Sequence, residues 1–216
     1  MNSSEAGSDR RNYSSPLRNE RARLTRGRVV EAAHALFVER GYAATSVAVV
    51  ARSADVSTQT VYNAFGSKVG LLRAVYTARL VGQSEPTPPE DRQEIRALHA
   101  ETDPVHIVSA FAVLSRELAE RLGPLLPVVA AAADDPDLAG DLATLGAERL
   151  WAAEQCARRL SDLGALRPGL GAQDAADRLW ALTTVELWQS LTGVRGWTAD
   201  RYDRWLTGAL RDAVLG

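Results

Sequence analysis

The sequence contains too few cysteines and histidines for a disulfide framework or a metal cluster. Its one cysteine is Cys156, and its three histidines, His34, His99 and His106, lack the spacing of metal ligands. No run of about 18 apolar residues is present, and the polar N-terminus lacks the apolar stretch of a signal peptide. We therefore predict a cytoplasmic protein that binds no metal and spans no membrane.

Motifs of the common enzyme classes are also missing. Gly169–Gly171 is an incomplete dinucleotide motif with no strand before it, and Gly66–Lys68 has neither the spacing nor the order of a phosphate-binding loop. The patterns GxSxG and HExxH do not occur. The sequence thus offers no catalytic residue and no cofactor site, and we predict that the protein is not an enzyme.

The charged residues that are present are distributed unevenly. Residues 1–80 carry 12 Lys and Arg against 6 Asp and Glu, whereas residues 81–216 carry 13 against 21. Basic side chains neutralise phosphates, and an acidic surface repels them. The pattern indicates a nucleic-acid-binding segment joined to a second segment with a separate role.

Apolar residues recur at helical spacing through most of the chain, and no useful length alternates with period two. This periodicity predicts an all-α fold with three parts. Residues 1–20 form a disordered basic arm, residues 21–82 form a three-helix domain, and residues 91–216 form a second helical domain. The arginines of the arm supply either nonspecific attraction to phosphates, which we favour, or contacts in a minor groove.

Two Asp–Pro pairs, Asp103–Pro104 and Asp135–Pro136, mark helix starts in the second domain. Aspartate suits the N-cap position, and proline is tolerated at the first helical position. The helix after the first pair is predicted to turn Val105 inward. The last two helices are predicted at residues 173–192 and 200–214, each with an apolar stripe that includes tryptophan.

The segment Ser46–Phe65 has the pattern of a helix-turn-helix, whose second helix enters the major groove of DNA. Val61 and Phe65 share one face of that helix and are predicted to pack inward. The opposite face carries side chains suited to bases or phosphates, namely Thr58, Gln59, Thr60, Tyr62 and Asn63. Lys68 lies in the first turn of the next helix, where exposed N–H groups and its own charge favour a phosphate.

Across residues 24–80 the order of residue types resembles the DNA-binding domain of the TetR family. The matching positions are Arg28-Val29-Val30, Ala32-Ala33, Leu36-Phe37, Gly41-Tyr42, Thr45-Ser46-Val47, Ala51, Ala54, Val56-Ser57, Thr60-Val61-Tyr62, Phe65, Ser67-Lys68 and Leu71-Leu72. The resemblance implies an N-terminal DNA-binding domain followed by a helical ligand-binding and dimerisation domain. It also implies a homodimeric repressor of a palindromic operator, released by a small-molecule effector.

The resemblance assigns roles to individual residues of this region. Phosphate contacts fall to Thr45, Tyr62 and Lys68. Contacts with bases or the adjacent backbone fall to Ser57, Thr58, Gln59 and Asn63, and Ser46 and Thr60 complete the predicted DNA-binding set. Asp55 stands where the turn usually carries glycine; aspartate tolerates the left-handed conformation, but its charge on the DNA side works against binding.

The end of the chain, especially Gly196-Trp197, Tyr202 and Trp205-Leu206, is similar to the C-terminal region of actinobacterial members of the family. This resemblance supports a dimer and names no ligand. Its candidate effector-binding residues are His106, Phe111, Trp151, Cys156, Trp180 and Glu186. Its candidate dimer-interface residues are Trp188, Leu191, Tyr202, Trp205, Leu206 and Leu210. Ordinary core packing is the alternative for each effector candidate, and Glu186 is a weak candidate for a cationic ligand. A helical adaptor that kept the DNA-binding shape without the affinity is a further alternative, motivated by Asp55 and the acidic second domain.

Overall fold

The computed structural model describes residues 16–81 and 91–216, and within these ranges its secondary-structure elements are all helices. The first domain contains α1 (Pro16–Ala44), α2 (Val47–Ser53), α3 (Thr58–Phe65) and α4 (Lys68–Val81). The second contains α5 (Gln93–Ala100), α6 (Pro104–Leu122), α7 (Leu126–Ala130), α8 (Pro136–Asp162), α9 (Ala172–Leu182), α10 (Val185–Trp188) and α11 (Ala199–Val214). A 3₁₀ turn, Gly123–Leu125, precedes α7, and a π-helical segment, Gln189–Val194, follows α10. The all-α prediction is confirmed.

Helix α1 begins at Pro16, five residues before the predicted start of order. Proline suits the first helical turn because its missing N–H would be unpaired there in any case. Within the next turns, Arg23 contacts Glu20 at 2.8 Å. The expected arm is therefore wrong for residues 16–20, and its remainder, residues 1–15, lies outside the described residues, as does the predicted break at residues 82–90.

The first domain buries one apolar face of each of its four helices. Phe37, Val50, Val61 and Leu71 are all buried, as their helical spacing predicts. Helix α1 packs against α2 and α4, and α2 packs against α3. These contacts hold the two short helices α2 and α3, which are too short to be stable alone, in a fixed orientation.

The second domain is built around α8, which packs against α9, α5 and α6, while α11 covers α6 and α9. Asp103 and Asp135 cap α6 and α8 as predicted, accepting from the backbone N–H groups of Val105 at 2.8 Å and Leu138 at 3.1 Å. Val108, Phe111 and Ala112 are buried as their spacing predicts, and Ile107 is buried beside them. Val105 is 45% exposed, so its predicted inward position is wrong.

Two features of the second domain were absent from the prediction. Helix α5 was not predicted as a separate element, and the helix predicted over residues 173–192 is broken after Leu182. At the break, the Thr183 hydroxyl donates to the Leu179 carbonyl at 2.9 Å, and the Thr184 hydroxyl caps α10 by accepting from the N–H of Leu187. These side-chain hydrogen bonds satisfy backbone groups that a continuous helix would pair internally.

Helix α4 belongs to the first domain but also contacts the second. Arg73 donates two hydrogen bonds to the carboxylate of Asp141 on α8, at 2.6 and 3.0 Å. Near the other end of α4, the Arg79 carbonyl accepts from Nε of Arg121 on α6 at 3.1 Å. Helix α4 is thus attached to both α6 and α8. None of the helices in the described ranges is long and apolar enough to cross a membrane.

Candidate nucleic-acid interface

Helix α3 presents a continuous polar face to solvent. Val61 is buried and Phe65 is half-buried against the core, so these two residues fix the inner face. The outer face consists of Ser57, Thr58, Gln59, Thr60, Tyr62 and Asn63, all of them exposed. Tyr62 is 46% exposed although it is a large aromatic residue. The orientation predicted from the spacing of Val61 and Phe65 is confirmed.

Side-chain hydrogen bonds hold α2 and α3 in place. The Ser46 hydroxyl caps α2 by accepting from the N–H of Val49, and the Ser57 hydroxyl caps α3 by accepting from the N–H of Thr60. Arg26 of α1 donates to the Ala64 carbonyl at 2.7 Å, with its guanidinium 4.3 Å from the centre of the Phe65 ring. The cap therefore orders the start of α3, and Arg26 attaches its C-terminal end to α1, so the outer face is presented in a defined orientation.

On the outer face, polar side chains already pair with each other. The Gln59 amide donates to the Asn63 side-chain oxygen at 2.8 Å, and the hydroxyls of Ser57 and Thr60 are also 2.8 Å apart. These i,i+4 and i,i+3 pairs order the side chains before a ligand is bound. Contact with a base edge by Gln59 or Asn63 would replace one polar partner with another, at little cost in desolvation.

The turn between α2 and α3 depends on a left-handed residue. Asp55 has φ of 54° and is the only residue other than glycine with positive φ in the described ranges. The next residue, Val56, donates its N–H to the Ala51 carbonyl at 3.0 Å, which closes the turn. Aspartate thus does occupy the conformation that glycine usually supplies, and its exposed carboxylate lies beside the start of α3.

Lys68 occupies the first turn of α4, two residues after the C-cap of α3 at Gly66. Its Nζ lies 4.1 Å from the centre of the Tyr42 ring and 3.5 Å from the Ala43 carbonyl oxygen. Partial burial lowers the pKa of Lys68 from its usual value. The preceding Ser67 caps α4 by accepting from the N–H of Gly70. Tyr42 was not predicted as a site residue, although the Gly41-Tyr42 match in the sequence was the signal that could have identified it.

Thr45 corrects one assignment, because its side chain is only 1% exposed and faces the interior. Its hydroxyl lies 2.9 Å from the Gly41 carbonyl oxygen and 3.1 Å from that of Leu36, to which it donates. These carbonyls are at the end of α1, where Gly41 with φ of 77° interrupts the helical hydrogen bonds. The hydroxyl of Thr45 stabilises this helix end and is not available to a phosphate.

Comparisons with known proteins agree with this geometry. Residues 29–75 match the family model of bacterial regulatory proteins, tetR family. SmeT is a repressor from Stenotrophomonas maltophilia whose structure was determined with triclosan bound. It is 25% identical to this chain, with 89% of this chain and 92% of SmeT covered and a TM-score of 0.68. The matched segment is therefore a TetR-type DNA-binding domain, and the chain as a whole shares the fold of SmeT.

Two further structures share the TetR fold over nearly the whole chain. NalD from Pseudomonas aeruginosa is 21% identical, with 91% of this chain and 98% of NalD covered and a TM-score of 0.64. A transcriptional regulator from Saccharomonospora viridis in complex with choline is 22% identical, with 90% and 99% covered and a TM-score of 0.68. The comparison with curated proteins gives no significant match.

In the second domain, a cavity of about 130 Å³ lies between α5, α6 and α8 and reaches the end of α4 at Leu80. Of the predicted effector-binding residues, Phe111 and Trp151 line it. Apolar side chains of Ile95 and Leu118 lie beside them, and Arg149 contributes a guanidinium. The cavity therefore combines an apolar wall with a cationic group, which is the composition of a small-molecule site.

The other four predicted effector residues lie elsewhere. His106 is exposed, with its ring 3.7 Å from Asp103, while Glu186 and Trp180 are also exposed. Cys156 is fully buried, and burial raises the pKa of its thiol to about 12, which makes it unreactive. The helices of His106 and Cys156 were predicted, whereas Trp180 and Glu186 lie on either side of the break in the helix predicted over residues 173–192. Sequence spacing could not show which side of each helix faces the cavity.

The predicted dimer-interface residues are mostly used within the chain. Tyr202, Leu206 and Leu210 are buried because α11 packs against α6 and α9. Trp188 is buried edge-on against Tyr202, with ring centres 4.7 Å apart. These four residues are therefore corrected from interface to core. The remaining two, Leu191 and Trp205, are half-buried and keep part of their surface exposed.

Proposed function

We propose that the protein is a homodimeric repressor that binds a palindromic operator through α3 and releases it when a small organic effector occupies the second-domain cavity. The observation that carries the proposal is the outer face of α3. Five polar side chains of one short helix and the side chain of its N-cap, Ser57, are exposed, and the other face of the helix is fixed by Val61 and Phe65. A rigid polar helix of this kind suits the major groove, where base edges present donors and acceptors.

Different parts of this surface would have different tasks. Tyr62 and Lys68 lie on either side of the α3–α4 turn and would hold phosphates, which positions the protein without specifying a sequence. Thr58 and Gln59, in the first turn of α3, would approach base edges and specify the sequence. The split of charge between a basic first segment and an acidic remainder would direct the first domain to DNA.

Helix α4 offers a physical route from the cavity to the DNA. Its first residue is Lys68, and Leu80 near its other end lines the cavity, about 18 Å away at 1.5 Å per residue. A ligand that moves α6 or α8 would displace α4 through the Arg121–Arg79 and Arg73–Asp141 hydrogen bonds. In a dimer, such a movement would change the spacing of the two α3 helices, which must match about one turn of DNA.

The structural relatives support a role in drug resistance. SmeT is described as the repressor of a multidrug efflux pump, and NalD as the secondary repressor of another. Their likeness to this chain is at most 25% identity, so control of an efflux-type gene is our proposal for this protein.

Selection of bound sequences from random duplex DNA tests the proposal. The full chain should enrich a two-fold symmetric site with half-sites about one helical turn apart. Thr58→Ala and Gln59→Ala should change the preferred bases, whereas Tyr62→Phe should weaken binding to every sequence. An exposed polar residue outside the interface, Gln173→Ala on α9, serves as the control. Binding that is equal for all sequences would refute the repressor and support the adaptor alternative.

A further inference from the structure

The cavity has the size of one aromatic ring. Its volume of about 130 Å³ is close to the roughly 150 Å³ of an apolar protein cavity that binds benzene. Phe111, Leu114, Leu118 and Trp151 form its apolar wall. A flat ring would pack well against this wall, whereas a large multi-ring compound would require the surrounding helices to separate.

The charged groups around the cavity are unequally compensated. Arg92 pairs with Glu148 at 2.9 Å, and Glu94 is exposed to solvent, which screens its charge. Among the described residues, neither Arg121 nor Arg149 has a carboxylate oxygen within 4.0 Å. Each instead donates to a backbone carbonyl, Arg121 to Arg79 and Arg149 to Trp180, both at 3.1 Å. Because a guanidinium has five N–H donors, both retain donors for a ligand.

The charge of Arg149 is poorly compensated. Burial lowers its pKa, and the charge of Glu186 only partly opposes this effect. Arg149 is half-buried and has no paired carboxylate in the described part of the chain, which is costly for a partly desolvated charge. An anionic group bound in the cavity, which Arg149 lines, would compensate this charge.

We propose that the cavity binds a single-ring organic anion, an aryl carboxylate or a close analogue. The ring packs against Phe111 and Trp151, and the carboxylate accepts hydrogen bonds from Arg149, with Arg121 as a second cationic anchor. This inference rests on the proposed function only in treating the ligand as the effector. It separates this chain from the regulator crystallised with choline, which is a cation, because the uncompensated charges here are positive.

Calorimetric titration of the full chain, without DNA, tests the ligand class with three probes of one ring size. The probes are benzoate, neutral benzamide and cationic benzyltrimethylammonium. Benzoate should bind about ten-fold or more tightly than benzamide, because hydrogen bonds between charged partners are the stronger ones. Arg149→Gln should reduce this preference to about three-fold or less, since only Arg121 then remains, while leaving benzamide affinity within about three-fold. Arg158→Gln, an exposed arginine on the same helix, should change nothing.

Circular dichroism melting checks that each variant folds. If Arg149→Gln does not fold, Arg121→Gln provides a second test. Benzamide or the ammonium binding as tightly as benzoate would overturn the proposal, and so would the absence of saturable binding for all three probes. Operator selection is a separate experiment. Benzoate binding without operator selection would support the ligand class and refute the repressor. Operator selection without benzoate binding would support the repressor and refute the ligand class.

Discussion

Replacing Asp55 separates two effects that this residue combines. Its backbone is left-handed, with φ of 54°, and its exposed carboxylate lies at the N-terminal end of the helix that we propose enters the DNA groove. Asparagine keeps the tolerance for this conformation and removes the charge, while alanine removes both. Asp55→Asn should therefore affect DNA binding, and Asp55→Ala should affect stability as well.

The expected magnitudes follow from the conformation and the charge. A left-handed backbone costs an ordinary residue about 1–2 kcal/mol, so Asp55→Ala should lower the unfolding free energy by about 1 kcal/mol. In a chain of this length, that loss lowers Tm by about 2–4 °C. A unit charge about 8 Å from a phosphate contributes about 0.5 kcal/mol in water. Removing it from both subunits of a dimer gives about 1 kcal/mol, or about a five-fold gain in affinity at low salt.

Fluorescence anisotropy with the selected operator, repeated across salt concentrations, measures the charge effect, and thermal melting measures the backbone effect. The gain for Asp55→Asn should shrink as salt rises, because screening weakens the repulsion that the substitution removes. Asp174→Asn, an exposed carboxylate on α9, is the matched control. An unchanged affinity for Asp55→Asn at low salt would mean that this carboxylate does not face DNA, and the proposed docking of α3 would have to be abandoned.

Three further predictions concern single contacts. Lys68 is the only lysine in the sequence, so reductive methylation labels one side chain. Bound operator should slow that labelling, followed by mass spectrometry, at least about ten-fold, and equal rates with and without operator would remove Lys68 from the interface. Thr45→Val should cost about 1–2 kcal/mol in urea unfolding, because the carbonyls at the end of α1 lose their buried donor, whereas a loss of DNA affinity without a loss of stability would contradict the interior role. Arg73 and Asp141 are both partly exposed, so a double-mutant cycle with Arg73→Met and Asp141→Asn should give a coupling of only about 0.5–1 kcal/mol; zero coupling would remove this contact from the route between cavity and DNA.

Sequence reasoning predicted the first domain well because its signals are local. The faces of α3 follow from the spacing of Val61 and Phe65, and the caps Ser46 and Ser57 stand directly before their helices. The wrong prediction for Thr45 also came from relying on local signals. A threonine next to a helix start has the chemistry of a cap or a phosphate contact, and nothing local shows that the break at Gly41 has freed carbonyls for its hydroxyl.

The second domain was harder to predict because its contacts are distant in the sequence. An amphipathic stripe shows that a helix face is covered but does not show what covers it. The apolar faces of α9 and α11 were predicted to meet a second copy of the chain, yet they pack against α8 and α6. The break at Thr183 and Thr184 was missed for a related reason, since threonine is compatible with a helix interior until its hydroxyl finds a backbone partner.

The loss of Tyr202, Leu206 and Leu210 to the core restricts where a second subunit could pack. A two-fold interface must use apolar surface that the chain leaves uncovered. On the last helices this surface comprises Val194, which is 84% exposed, and the half-buried Leu191 and Trp205. Trp205 is held by Trp197, with ring centres 5.9 Å apart, so it presents a rigid aromatic surface beside the π-helical segment. The proposed dimer would therefore be centred on the edge between that segment and α11, and the buried stripe of α11 would remain inside each subunit.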